Sequence, residues 1–263
     1  MPYLKAKKRF GQHFMTDRRL AARIVKALNP AAGEEVVEIG PGKGILTELL
    51  LESNCRVTAI ELDRELVAYL REKFEKNKLV TIINRDFLKI GLDELPSQMK
   101  LIGNIPYNIS TAILEKLLDF RKSITCAVLT LQAEVADRLT ARPGSRTYGS
   151  FTVIMAAAWM IKRLFSIKPG AFRPAPAVMS AAIKLEPGSL ELNDPAAFNS
   201  FVRSCFYHKR KTLSNSMQSS LELPKNICED MIVALGRELD VRAEQLGLDN
   251  YLQLFKLWSG KNP

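Results

Sequence analysis

The four residues Asn104, Ile105, Pro106 and Tyr107 carry the most specific chemistry in the chain. The side-chain oxygen of Asn104 and the main-chain carbonyl of Ile105 are two neighbouring acceptors, suited to the two hydrogens of an exocyclic amine. Such an amine is a poor nucleophile because its lone pair is delocalised into the ring. Holding both hydrogens biases the nitrogen toward sp³ and aims the lone pair at an electrophile. Pro106 fixes the turn that points the acceptors inward, and Tyr107 offers a face on which a planar base stacks. Near-attack positioning and electrostatics carry most of such a reaction, with no strong general base or metal. The structural alternative is a plain strand-ending Asn-x-Pro-Tyr turn, so the surroundings decide.

Upstream, Gly40, Gly42 and Gly44 in VEIGPGKG follow a strand pattern and open a helix pattern. Glycines there let the chain turn tightly and let a ligand approach the main chain. The pattern is G-x-G-x-G and lacks the spacing of the dinucleotide fingerprint. Glu61 ends the second strand, 21 residues after Gly40, where a carboxylate accepts hydrogen bonds from ribose hydroxyls. Asp86 closes the third strand, within reach of an adenine edge. All three elements face the crevice at the carboxyl ends of the strands. S-adenosylmethionine carries a sulfonium and no pyrophosphate, so the missing glycine favours it over NAD. The tetrapeptide also fits the [N/D]-[PLI]-P-[YFW] signature of enzymes that methylate exocyclic amines of bases.

The elements that must position these groups alternate. Spacing predicts a helix over 20–28, stopped by Asn29 and Pro30. Strands are predicted over 35–39, 56–60, 80–84, 100–103 and 126–131, with helices over 45–52, 65–77 and 110–120 between them. That alternation implies a parallel sheet covered on both faces. A helix over 150–159 precedes strands over 163–167 and 179–185, an expected antiparallel pair at the sheet edge around PGAFRPAPAV. Beyond Asn193 only helical patterns appear, over 195–206, 226–238 and 250–258. The expected organisation is a catalytic domain over 1–186, with a basic N-terminal segment, and a small all-α domain over 187–263.

The chain has 263 residues, 38 Lys+Arg against 28 Asp+Glu and a formal net charge of +10. Positive charge is segregated: residues 1–19 carry a net +5, residues 121–184 a net +8, and the remainder −3. Clustered cations suit a nucleic-acid footprint, since each phosphate contact releases counterions. The longest apolar run, 153–161, is too short for a membrane helix. Four scattered cysteines without a CxxC pair, beside two histidines, argue against a zinc module or disulfide framework and for a reducing compartment. The basic N-terminus lacks the apolar core of a secretory signal, so the expected location is the cytoplasm. No exposed heptad seam is visible, and a monomer is expected.

Six ordered segments, KRFGQHFM (8–15), VEIGPGKG (37–44), IELD (60–63), GNIPYNIST (103–111), PGAFRPAPAV (169–178) and HKRKTLSNS (208–216), span nearly the whole chain. In them the protein resembles the ribosomal RNA adenine dimethyltransferases, above all their bacterial small-subunit branch. The resemblance implies a Rossmann-like class I SAM-dependent methyltransferase sheet with an α-helical tail. It also implies transfer of two methyls to N6 of each of two adjacent adenosines, in a hairpin loop near the 3′ end of 16S rRNA in the assembling 30S subunit. By that resemblance the cofactor contacts are His13, Met15, Gly40, Glu61, Asp86 and Asn104, in the turn that Gly42 and Gly44 complete. The family usually reads Q-N-F-L where this chain has Gln12, His13, Phe14 and Met15. Phe172 looks like a second aromatic opposite Tyr107, or else the buried anchor of its Pro-rich loop. Lys7, Lys8, Arg9, Arg173, Lys209, Arg210 and Lys211 would meet RNA phosphates; no metal is expected.

Rival readings differ in identifiable ways. The resistance branch, which dimethylates one large-subunit adenine, shares the core and the NIPY element, but FGQ, PGxFxPxPxV and KRKTLxNS favour the small-subunit branch. A relative that binds nucleic acid without catalysis would not need Asn104, Tyr107 and Glu61. A DNA adenine methyltransferase would carry a recognition module, and the tail here holds nine Lys/Arg against nine Asp/Glu with no zinc spacing. An NAD-dependent oxidoreductase lacks its glycine and its hydride machinery.

Overall fold

The computed structural model describes residues 6, 7, 10–190 and 192–260. They fall into two compact units, Met1–Ala136 with Met160–Pro187, and Asp137–Trp159 with Gly188–Pro263.

The first unit is built on a sheet of seven strands. After the two-residue strand β1 (Phe14–Met15), helix α1 (Arg18–Leu28) is capped by the Asp17 carboxylate, which accepts from Leu20 N–H at 3.0 Å, and ends on Asn29 in the left-handed region. Its buried stripe of Leu20, Ala21, Ile24, Val25 and Leu28 lies against the sheet. There follow β2 (Glu35–Ile39), α2 (Ile45–Leu51), β3 (Arg56–Glu61), α3 (Arg64–Lys73), β4 (Val80–Asn84), β5 (Met99–Asn104), α4 (Ser110–Asp119) and β6 (Ile124–Gln132). β7 (Trp159–Ile167), β8 (Phe172–Arg173) and β9 (Ser180–Pro187) complete it. The sheet order is β4-β3-β2-β5-β6-β9-β7. Its first five strands are parallel and β9 runs antiparallel to β6, so the predicted edge strands 163–167 and 179–185 are both at that edge. Order reverses between β2 and β5, which puts a crevice at their carboxyl ends. β1 and β8 form a separate antiparallel pair, Phe14 opposite Arg173 and Met15 opposite Phe172.

The second unit is helical. α5 (Ala133–Leu139) spans the division between the units, and α6 (Ser150–Ala158), α7 (Pro195–Cys205), α8 (Leu213–Leu221), α9 (Lys225–Ala234) and α10 (Leu248–Ser259) follow. Phe198, Phe201, Phe255 and Trp258 form an aromatic centre between α7 and α10. The Tyr251 hydroxyl, buried beside it, donates to the Ala243 carbonyl at 2.6 Å. The structure differs from the expected division in one respect. Residues 137–159 belong with these helices and not with the sheet, because α6 packs on α7 and α10. The chain enters this unit twice, and a linear boundary at 186/187 captures only the second entry. Among the described residues no helix is long and apolar enough to cross a membrane.

Candidate active site

A cleft of about 240 Å³ opens at the carboxyl ends of β2 to β5. Its floor is the glycine turn. Gly40, Gly42 and Gly44 all have positive φ (63°, 57° and 78°), a region that costs other residues steric strain. A Cβ on Gly42 would come within 3.0 Å of the Phe14 ring, whereas one on Gly40 would meet open space. Gly44 plays a different part from the one expected. It does not line the cleft but caps α2, where a Cβ would lie 3.0 Å from both Leu70 and Phe74. It leaves room for the Leu70 and Phe74 side chains against the start of α2.

Glu61, at the end of β3, is buried and accepts from two backbone N–H groups, Asp63 at 2.9 Å and Gly42 at 3.3 Å. Burial raises its pKa, against the lowering effect of those two bonds. Asn84 holds the strand end in place by donating its amide to the Glu61 and Leu62 carbonyls. Asp86 lines the same cleft and caps a short turn through Leu88 N–H at 3.0 Å. Beneath the floor, Glu38 of β2 is 1% exposed and accepts from the Thr47 hydroxyl of α2 at 2.6 Å. Burial pushes its pKa up to about 7.

The wall opposite is made by Asn104 to Tyr107 and by the N-terminal segment. The Asn104 Nδ2 donates to the His13 carbonyl at 2.8 Å. A carbonyl only accepts, so this bond fixes the flip of the amide and leaves Oδ1 as the acceptor. Ile105 N–H donates to the Thr130 carbonyl of β6, holding the turn to the sheet. The Tyr107 hydroxyl bonds Ser180 Oγ, its pKa is raised by burial, and its ring stacks on His13 with centroids 5.4 Å apart. His13 Nδ1 donates in turn to the Pro174 carbonyl at 2.8 Å. Thus one residue braces the tyrosine, orients the asparagine and ties the N-terminal segment to the Pro-rich loop.

His13, Met15, Gly40, Gly42, Glu61, Asp86, Asn104, Ile105, Pro106 and Tyr107 all line the cleft. Phe172 does not. It is fully buried in the core with Met15, Ile24 and Ala182, because its pairing opposite Met15 turns the ring inward. It is the anchor of its loop, and no base stacks on it here. Lys7 also departs from expectation. Its ammonium bridges Asp63 at 2.7 Å and Glu65 at 2.9 Å, bonds that raise its pKa, so two carboxylates already neutralise it. Lys8 and Arg9 lie outside the described residues. Arg173 is exposed and donates to the Phe172 carbonyl; Lys209, Arg210 and Lys211 are exposed on the turn between α7 and α8.

Sequence reasoning passed over Gln12, which accepts from Lys7 N–H and donates to Asp63 at 3.4 Å, latching the N-terminal segment to the loop after β3. It also passed over Leu62, Arg85 and Asn108 in the lining. Leu62 had a signal, an apolar residue directly after a strand-end acid; Arg85 and Asn108 had none. No group of three His, Cys, Asp or Glu able to hold a metal occurs among the described residues.

An open α/β sheet with a glycine floor, strand-end carboxylates and an Asn-Ile-Pro-Tyr wall defines a SAM-dependent methyltransferase. The chain belongs to the ribosomal RNA adenine dimethylase family, whose model matches residues 3–259. It is 40% identical over 256 residues to ribosomal RNA small subunit methyltransferase A of Hahella chejuensis, covering 95% of this chain and 92% of that one. A dimethyladenosine transferase from Plasmodium falciparum superposes with a TM-score of 0.86 at 25% identity, over 95% of this chain and 98% of that one. The 23S rRNA methyltransferase ErmE gives 0.75 at 27% identity, over 94% and 99%. The protein is thus an S-adenosylmethionine-dependent enzyme that dimethylates adenine of ribosomal RNA.

The cleft suits that donor. Among the described residues Glu61 accepts from backbone N–H groups and is in no ion pair, which leaves acceptor capacity for hydroxyl groups. The free space at Gly40 admits a ligand against the main chain.

Proposed function

We propose that this chain dimethylates N6 of two adjacent adenosines in the 3′-terminal hairpin loop of 16S rRNA, in the assembling 30S subunit. The observation that carries the reading is the fixed Asn104 amide, its Oδ1 left as acceptor beside the braced Tyr107 ring. When bound, S-adenosylmethionine supplies a sulfonium-activated methyl group. Glu61 and Asp86 hold its nucleoside portion, Gly40 and Gly42 give it room, and Met15 provides apolar contact. Asn104 Oδ1 and the Ile105 carbonyl accept the two N6 hydrogens, while the target base stacks on Tyr107. His13 acts here through its carbonyl and its ring as a brace. The proposed chemistry asks for no metal.

Arg173, Lys209, Arg210 and Lys211 are the phosphate contacts of this reading, and Lys7 is released from that role. The FGQ, PGAFRPAPAV and KRKTLSNS segments and the small-subunit name of the 40%-identical relative support the small-subunit substrate. A monomer working in the cytoplasm fits it. Likeness to the 23S enzyme supports a second reading, a large-subunit adenine.

The test is methyl transfer from labelled S-adenosylmethionine to small and large subunits from cells lacking these modifications, followed by nucleoside analysis. Label in N6,N6-dimethyladenosine of the small subunit is expected. Label confined to the large subunit overturns the substrate, and no label in either overturns the reading.

A further inference from the structure

The turn after α7 carries an aromatic residue that the catalytic cleft does not explain. Tyr207 is 67% exposed, the highest value among the exposed large hydrophobic residues of the described chain. A side chain of that size left in water on a well-packed helical unit has an unused face. Its main chain is held in a hydrogen-bonded turn, though. Its N–H donates to the Ser204 carbonyl at 3.1 Å, and the His208 ring meets it edge-on with centroids 4.7 Å apart. The His208 carbonyl accepts from Lys211 N–H at 3.1 Å and from the Ser216 hydroxyl of α8 at 3.4 Å, which fixes the turn at its far side. Lys209, Arg210 and Lys211 follow directly, all exposed and in no ion pair among the described residues. An exposed ring on a hydrogen-bonded turn, beside three unpaired cations, combines a stacking platform with a backbone-tracking charge, the two elements by which proteins hold unpaired nucleotides. Charge alone would attract duplex and single strand alike.

From this we infer that Tyr207 is a second base-stacking site, outside the methyl-transfer cleft, for one unpaired nucleotide of the RNA, with Lys209, Arg210 and Lys211 on its flanking phosphates. The inference rests on the RNA substrate proposed above. It assigns the unit a reading of strandedness, which a bare cluster of cations does not provide.

The experiment measures binding of the full chain to unmodified small ribosomal subunits, to a short single-stranded RNA and to the duplex of the same sequence, across a range of salt. Tyr207→Ala is expected to weaken single-strand binding about tenfold at every salt concentration with an unchanged salt slope, and to erase the preference over duplex. Tyr207→Phe is expected to restore both. Lys209→Ala combined with Lys211→Ala is expected to flatten the slope and keep the preference. Exposed Tyr207 bears no core load, so thermal melting of the variants should match the parent. If Tyr207→Ala binds like the parent while the parent methylates small subunits, this site is refuted and the proposed function stands. If Phe fails as Ala does, the ring is not a stacking platform. A parent protein that neither binds nor methylates small subunits overturns both.

Discussion

Glu38 makes the stability of this enzyme fall as the pH rises, and the size of the effect follows from its burial. The carboxyl is 1% exposed, and its pKa moves from an ordinary 4.5 to about 7, with burial the leading cause and the Thr47 hydroxyl and Lys73 working the other way. Below pH 4.5 it is protonated both folded and unfolded and costs nothing. Between 4.5 and about 7 the folded chain holds a proton that the unfolded chain has released, so unfolding is favoured by about 1.4 kcal/mol per pH unit. Over that window the native state loses roughly 3 kcal/mol, out of a total that for most domains is about 5–15 kcal/mol. Glu38→Gln keeps an acceptor for Thr47 and has no charge to bury. Urea unfolding at pH 5 and pH 8 gives the comparison. The parent should lose roughly 3 kcal/mol more than the variant across that interval, whatever constant offset the amide introduces. The Glu61 charge adds to the rise of Glu38, so the two carboxyls titrate as a coupled pair, and the difference between parent and variant reads Glu38 together with that coupling. Parallel curves for parent and variant would refute the reasoning, because they would mean Glu38 has ordinary access to water.

Two further substitutions probe the N6 acceptor and the glycine turn. Asn104→Ala removes the acceptor for N6 and the donor to His13, and kcat should fall about 100- to 1000-fold, in line with the loss of one preorganised polar partner, with RNA affinity nearly unchanged. Single-turnover methylation beside a binding titration checks it, and near-normal turnover would remove Asn104 from the chemistry. Gly44→Ala puts a Cβ against Leu70 and Phe74 in a left-handed backbone and should cost about 3 kcal/mol of stability. Thermal denaturation reads this, and an unchanged midpoint would mean that the turn and the Leu70 and Phe74 side chains accommodate a Cβ without strain.

What could be read in advance was local in sequence. The spans 35–39 and 80–84 match β2 and β4 residue for residue, because β-branched runs between turn signals define parallel strands, buried in β2 and only part-buried in β4 at the sheet edge. The glycine floor, Glu61, Asp86 and the NIPY wall each sit at a strand end, so an element assignment alone brings them together. Features that depend on distant partners were not legible. β1 and β8 are two residues each and have no periodicity of their own. The fate of Phe172 turned on that pairing, and that of Lys7 on carboxylates 56 and more residues away. Periodicity did not reveal α8, because Ser214 and Ser216 are buried beside Leu213 and Met217, and close helix packing through small polar residues leaves no apolar stripe to count.

The stitch between residues 13–16 and 171–174 also sets a schedule. The bonds from His13 to Pro174 and from Thr16 to Ala171 join positions 161 and 155 residues apart. During synthesis at about 5–20 residues per second, the N-terminal wall therefore waits roughly 8 to 30 s for its partner strand to emerge. Strands β2 to β6 are complete before then, and the glycine floor with them. The growing chain thus carries a floor without a wall, and Asn104 lacks an anchored carbonyl to orient its amide. Catalytic competence waits until residues 13–16 meet residues 171–174, well after the floor has been synthesised.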